Sequence, residues 1–152
     1  MNVLLVYATN SGGTLMASQL VSELLTQKGH TVTLKEAAET TPEDVTNAAF
    51  VLLASPSWDY ENAEGMPHEH FVPLMKGLEG KTLEAKPFAI LGLGDKSYAK
   101  FCGAVDHFET FVGALKGKLT VPSLRVDGYF FDQAGNTQKI TDWANQLASI
   151  PA

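Results

Sequence analysis

One cysteine, Cys102, stands in the 152 residues, so no disulfide can form within the chain. A domain of this length buries about 70% of its unfolded surface and needs no such staple. The scarcity of thiols accords with a reducing compartment, and a cytoplasmic location is expected. No apolar run approaches the ~20 residues that span a bilayer. Met1-Asn2-Val3-Leu4 carries no basic segment and leads directly into an apolar strand pattern, so no secretory leader is expected. Basic charge is missing from a long stretch. From Glu36 to Met75 there are eight acids and neither Lys nor Arg. The net charge of −6 therefore originates in the first half of the chain. Such a field repels nucleic acid and anionic membranes and attracts basic protein surfaces. A complete Gly-x-Gly-x-x-Gly is also missing, since Gly92-Leu93-Gly94 stands without its third glycine, which argues against a nicotinamide dinucleotide. No Ser or Cys is matched with a His and a carboxylate in a hydrolytic pattern. His68 and His70, two apart, would face different ways on a helix, which argues against a metal there.

What is present reads as one domain over residues 1–152, built of alternating strands and helices. Val3 to Tyr7 is an apolar run of the kind buried on both faces of a parallel sheet. A helix follows from near Leu15, with Met16, Leu20, Val21, Leu24 and Leu25 at helical spacing, and stops at Lys28-Gly29. His30 to Lys35 alternates and reads as an edge strand, with His30 at the surface. Thr41-Pro42-Glu43-Asp44 reads as the start of a short helix. Phe50 to Ala54 is the third strand, followed by a long loop from Ser55 to Pro67. A helix around Phe71, Leu74 and Leu78 ends between Gly77 and Gly80. Pro87 to Leu91 is the fourth strand, and Gly92 to Gly103 a further loop. Val105, Phe108, Phe111, Val112 and Leu115 mark the next helix, with His107 on its exposed side. A fifth strand, Leu119 to Val126, is broken or bulged at Pro122. Asp127-Gly128 turns into a last helix that starts near Asp132 and buries Ile140, Trp143, Ala144 and Leu147. The pattern predicts an α/β fold, a three-layer doubly wound sheet of five parallel strands.

Three unusual loops follow the first, third and fourth strands, so they meet at one sheet edge, where such folds bind ligands. The first, Thr9-Asn10-Ser11-Gly12-Gly13-Thr14, is rich in hydroxyls and uncharged. Glycine-turned amides at a helix N-terminus suit an anion held without Lys. The second carries Trp58 and Tyr60, and the third Tyr98 and Phe101. Large aromatics on polar loops suit a flat ligand, each contact worth about 0.5–1.5 kcal/mol beyond burial. Gly92 and Gly94 let backbone approach a ring closely. A phosphate joined to a planar ring describes a mononucleotide such as FMN.

These motifs resemble the flavodoxin family over essentially the whole chain. Thr9-Asn10-Ser11-Gly12-Gly13-Thr14 is similar to its phosphate loop. Ser55-Pro56-Ser57-Trp58, with Asp59 and Tyr60 after it, resembles its second flavin loop. Leu93-Gly94-Asp95-Lys96-Ser97-Tyr98, continuing to Phe101 and Cys102, resembles its third. The resemblance implies strand order 2-1-3-4-5. It implies FMN bound non-covalently, Trp58 on the inner ring face and Tyr98 on the outer, and a short-chain member that carries single electrons at low potential. The same resemblance implies a monomer meeting basic redox partners transiently, of the flavodoxin or ferredoxin reductase type, with no nucleic acid or membrane. The competing reading on this fold is an FMN-dependent NAD(P)H or quinone oxidoreductase. A phosphate-switched receiver domain would want a carboxylate where the third strand ends in Ser55. Cys102 is read as a buried or loop thiol, not a nucleophile. The chain departs from many relatives at Gly13, where they carry Asn, and at Asp59, where they carry Gly. Asp59 is expected to hinder a peptide flip that accompanies reduction, and so to bring the two one-electron potentials closer together.

Overall fold

The computed structural model describes residues 1–60, 63–96 and 101–149, and of Trp58, Asp59 and Tyr60 the backbone alone. Strand β1 (Asn2–Tyr7) pairs in parallel with β2 (Thr31–Glu36) on one side and β3 (Phe50–Tyr60) on the other. Beyond β3 lies β5 (Pro87–Gly94), and beyond it the split fifth position, β6 (Lys118–Leu119) and β7 (Leu124–Asp127). The expected order holds, with the break falling at Thr120 to Ser123, around Pro122. Proline cannot donate to a ladder, so the strand resumes after it.

One expectation is corrected here. The segment from Ser55 to Pro67 is not a loop. β3 continues through Tyr60 and β4 (Ala63–Pro67) folds back on it, pairing Ser57 with Pro67, Trp58 with Met66 and Tyr60 with Ala63. Register slips by one residue opposite Asp59, where Gly65 takes φ +73°. A bulge of this kind needs the left-handed region, which glycine enters freely.

Alternation along the central strands feeds two cores. Val3 and Leu5 of β1, Phe50 and Leu52 of β3 and Leu91 of β5 face helices α1 (Gly13–Gln27) and α5 (Gln133–Ala148). Leu4 and Val6, Val51 and Leu53, Phe88 and Ile90 face α2 (Pro42–Asn47), α3 (Val72–Leu78) and α4 (Gly103–Ala114). Period-two side chains on a sheet buried on both faces must supply both layers, which is why these strands are apolar throughout. Local signals place the helix starts. Thr41 and Asp44 form a reciprocal capping box, at 3.2 and 2.9 Å, with Pro42 in the first turn. Asp132 accepts from the Gly135 amide at 3.1 Å and caps α5.

His30 is a second correction. It is buried at the start of β2, its backbone amide donating to Leu25 O at 3.2 Å, among Met1, Val3, Phe50 and Leu147. The turn after α1 tucks the ring under the sheet's lower end, which alternation along a six-residue strand does not reveal.

His68 is also buried. Its amide donates to Ser55 Oγ at 2.9 Å and its Nδ1 accepts from the His70 amide at 3.1 Å, capping a short 3₁₀ turn at Glu69–Phe71. His70 in turn pairs with Glu36 at 2.9 Å. Burial, helped by the nearby His70, lowers the His68 pKa. An imidazole depressed below its unfolded value binds a proton more readily when the chain unfolds. Stability therefore falls as pH drops through about 6.5, the unfolded value. Urea midpoints of the native protein should fall between pH 7.5 and 5.5, and His68→Gln should flatten that slope; an unaltered slope in the variant would exclude His68 as its source.

Candidate functional site

The carboxyl ends of β1, β3, β5 and β7 surround one cavity of about 560 Å³. Thr9, Asn10, Ser11, Gly13 and Thr14 form one wall, Pro56 and Ser57 a second, Leu93, Gly94, Asp95 and Cys102 a third. The convergence expected of the three segments is present.

The first wall is a turn folded around Thr9, whose Oγ1 accepts from the Gly12 amide at 2.9 Å. Gly12 takes φ +91° and sends the chain into α1 without a side-chain cap. Unpaired amides of the first helical turn and the positive end of its dipole thus meet the cavity, with Thr14 buried against it. A chain built to hold the helix end shut would supply a capping side chain there. This turn leaves the amides to an external acceptor, and a phosphate monoester fits that donor set.

The second and third walls are tied to each other. Ser57 Oγ accepts from the Ala104 amide at 3.0 Å, so the hairpin segment caps α4. Gly103 lies against the backbone of Gly65, where an added Cβ would sit 2.5 Å from the carbonyl oxygen. Cys102 adopts φ +49°, its carbonyl accepting from Arg125 Nη1 at 3.1 Å while Arg125 also pairs with Asp106 at 2.8 Å. The Cys102 thiol is buried, 3.7 Å from Gly92 O and 3.8 Å from Val126 O. Burial pushes its pKa up to about 12, so it is no nucleophile at neutral pH. Iodoacetamide at pH 8 should leave it untouched in the folded protein and alkylate it in urea; rapid labelling of the folded protein would contradict this burial.

Some residues from the sequence reading stand behind the walls. Ser55 is fully buried, donating to Pro56 O at 2.7 Å and accepting from His68, and so braces the hairpin. Phe101 packs on the core beneath α4, with Lys96 Nζ 5.7 Å from its ring centroid. Tyr98 and Ser97, and the side chains of Trp58, Asp59 and Tyr60, lie outside the described residues.

The sequence reading missed a fourth wall, Gly128 to Phe131, and the hairpin residue Gly65 beside Glu64. Gly128 takes φ +53° and its amide donates to Gly94 O at 2.9 Å. Buried Asn136 on α5 donates to the carbonyls of Asp127 and Gly128, each at 3.2 Å. Lys96 N donates to Asp127 Oδ1 at 2.9 Å and joins the third wall to the fourth. The available signal was Tyr129-Phe130-Phe131 directly after a strand end, three aromatics where a simple turn needs none.

Comparison with known proteins agrees with this fold. The sequence model of the Flavodoxin family matches residues 5–139. A flavodoxin of Maridesulfovibrio salexigens is 32% identical over 146 residues, covering 95% of each chain. Among solved structures, the flavodoxin of Streptococcus pneumonia TIGR4 superposes with a TM-score of 0.86 at 21% identity, over 98% of this chain and 99% of that one. A Fusobacterium nucleatum flavodoxin bound to flavin mononucleotide superposes at 0.81 with 17% identity, over 96% of both chains.

Proposed function

This chain belongs to the flavodoxin family, and on that premise we propose that its sheet-edge cavity holds FMN through the residues just described. The protein is an FMN-binding electron carrier, not an enzyme with a substrate of its own. When bound, FMN supplies a flavin that takes up and passes on electrons one at a time. The observation that carries the site assignment is the meeting of an uncapped, uncharged helix start with two glycine-bearing segments around one cavity.

In this reading the Thr9–Thr14 turn binds the 5′-phosphate with backbone amides and hydroxyls, which leaves its charge unneutralised. Leu93, Gly94 and Pro56 line the path toward the ring. Trp58 and Tyr98 are proposed to cover its two faces, as the resemblance implies. Glu64 and Asp95 border the cavity, and Asp59 and Glu61 lie within five residues of Glu64 in sequence. Their negative field resists further charge on the flavin and lowers the second reduction potential. The same acids steer basic partner surfaces into transient contact. Flavodoxins exchange electrons with oxidoreductases; basic docking faces on those partners, a monomeric carrier and a cytoplasmic location are part of this proposal. Among the described residues no helix is long and apolar enough to cross a membrane.

Purification tests the assignment. A yellow protein releasing one FMN per chain is expected, and a colourless one unable to take up FMN would refute it. Rapid steady-state oxidation of NADPH by the isolated protein would favour the oxidoreductase reading instead. Asp59→Gly should widen the gap between the two one-electron potentials in a redox titration, and an unchanged gap would show that Asp59 does not restrict the backbone there.

A further inference from the structure

Phe130 is half exposed, with 49% of its surface open, yet its ring is not a stray surface group. It reaches across from the β7 turn to the start of α1. A Cβ added to Gly13 would lie 3.2 Å from Phe130 Cε2 and 3.3 Å from Leu93 Cδ2. Both distances are tighter than ordinary van der Waals contact, so a side chain at residue 13 would have to displace the Phe130 ring and Leu93 by a few tenths of an ångström. Gly13 has no positive φ to demand glycine. The absence of a side chain lets the Phe130 ring and Leu93 close over this position. Phe130, Gly13, Thr14 and Ser11 all line the same cavity.

We propose that Phe130 is a positioning residue for the cofactor phosphate: its ring roofs the phosphate turn in place of a side-chain donor at residue 13. This inference rests on the assignment of that turn to the 5′-phosphate. The physical argument concerns water. Amide-to-phosphate hydrogen bonds strengthen when solvent is excluded, because the local dielectric falls. A turn with no Lys, and with no side-chain donor at residue 13, gains from such exclusion. Asn136 holds the carbonyls of Asp127, Gly128 and Tyr129, at 3.2, 3.2 and 3.4 Å, and so fixes the backbone from which the ring projects.

The test uses the FMN-loaded protein and two readouts. The ³¹P resonance of bound FMN should resist broadening by added Mn²⁺ in the native protein and broaden in Phe130→Ala. FMN release, followed by recovery of flavin fluorescence, should accelerate about tenfold in Phe130→Ala, the order of one charge-assisted hydrogen bond. Phe130→Leu should restore most of the protection. Gly13→Asn should speed release in the native background, where it crowds the ring, and slow it in Phe130→Ala, where only the flexible Leu93 side chain still borders the new donor. Equal Mn²⁺ broadening and equal release in native and Phe130→Ala protein would overturn the inference and leave FMN binding standing. The same holds if Gly13→Asn acts alike in both backgrounds. A native protein that holds no FMN would overturn both.

Discussion

Thr14→Val should release FMN at least about tenfold more readily, since hydrogen bonds to charged groups contribute about 1.5–3 kcal/mol. Urea unfolding of the FMN-free protein should change by less than about 1 kcal/mol, because Val keeps the shape of Thr and the position is already in a helical first turn. Thr14 is buried at the cavity wall, and α1 begins without a side-chain cap. The turn's own closure is served by Thr9, which accepts from Gly12. Loss of the Thr14 hydroxyl therefore leaves folding intact and removes a donor to the ligand. Titration of FMN fluorescence quenching against urea midpoints separates the two. Parallel losses in both would make the turn an ordinary helix start and remove its claim to a phosphate.

A second large effect is expected at the junction of hairpin and α4. Helix propensity alone says that alanine should improve on glycine at residue 103, by about 1 kcal/mol. The packing says the opposite. An added Cβ would lie 2.5 Å from Gly65 O, 2.9 Å from its Cα and 3.1 Å from its carbonyl carbon. These are backbone atoms, which cannot swing aside as a side chain does. Either the bulged hairpin or the start of α4 must move, and overpacking of this kind costs about 1–3 kcal/mol. Gly103→Ala should melt a few degrees lower, at about 2–4 °C per kcal/mol for a chain of this size. It should also bind FMN more weakly, because Gly65 and Cys102 both line the cavity. Gly113→Ala, on the same helix with open space around it, is the matched control and should be neutral or stabilising. A Gly103→Ala protein as stable as Gly113→Ala would mean that hairpin and helix are free to separate.

Much of this arrangement was legible before any coordinates. Apolar runs at Val3–Val6, Phe50–Ala54 and Phe88–Leu91 declared strands buried on both faces, and glycine with hydroxyls after the first declared an anion turn. Proline at 122 marked the split in the last strand. Other features were hidden, each for a physical reason. Ser55 to Pro67 reads as a loop because its polar residues, two prolines and Gly65 carry no period, yet cross-strand pairing and one bulge hold it as a hairpin. His30 reads as a surface residue because its burial comes chiefly from Phe50 and Leu147, both distant in sequence. Phe130 carries no periodic signal at all, and its partner Gly13 lies on the far side of the chain.

The uncapped turn between β1 and α1 shows where the boundary falls. Its residue types alone state that it can hold an anion, since amides, hydroxyls and glycines act through local geometry. Which anion it holds depends on what stands opposite, and that is a matter of strand order and register. Parallel pairing brings Pro56 beside Leu93 and Gly94 beside Asp127, so the four turns share one edge. Non-local pairing decides those neighbours, and no local pattern encodes a distance across the sheet.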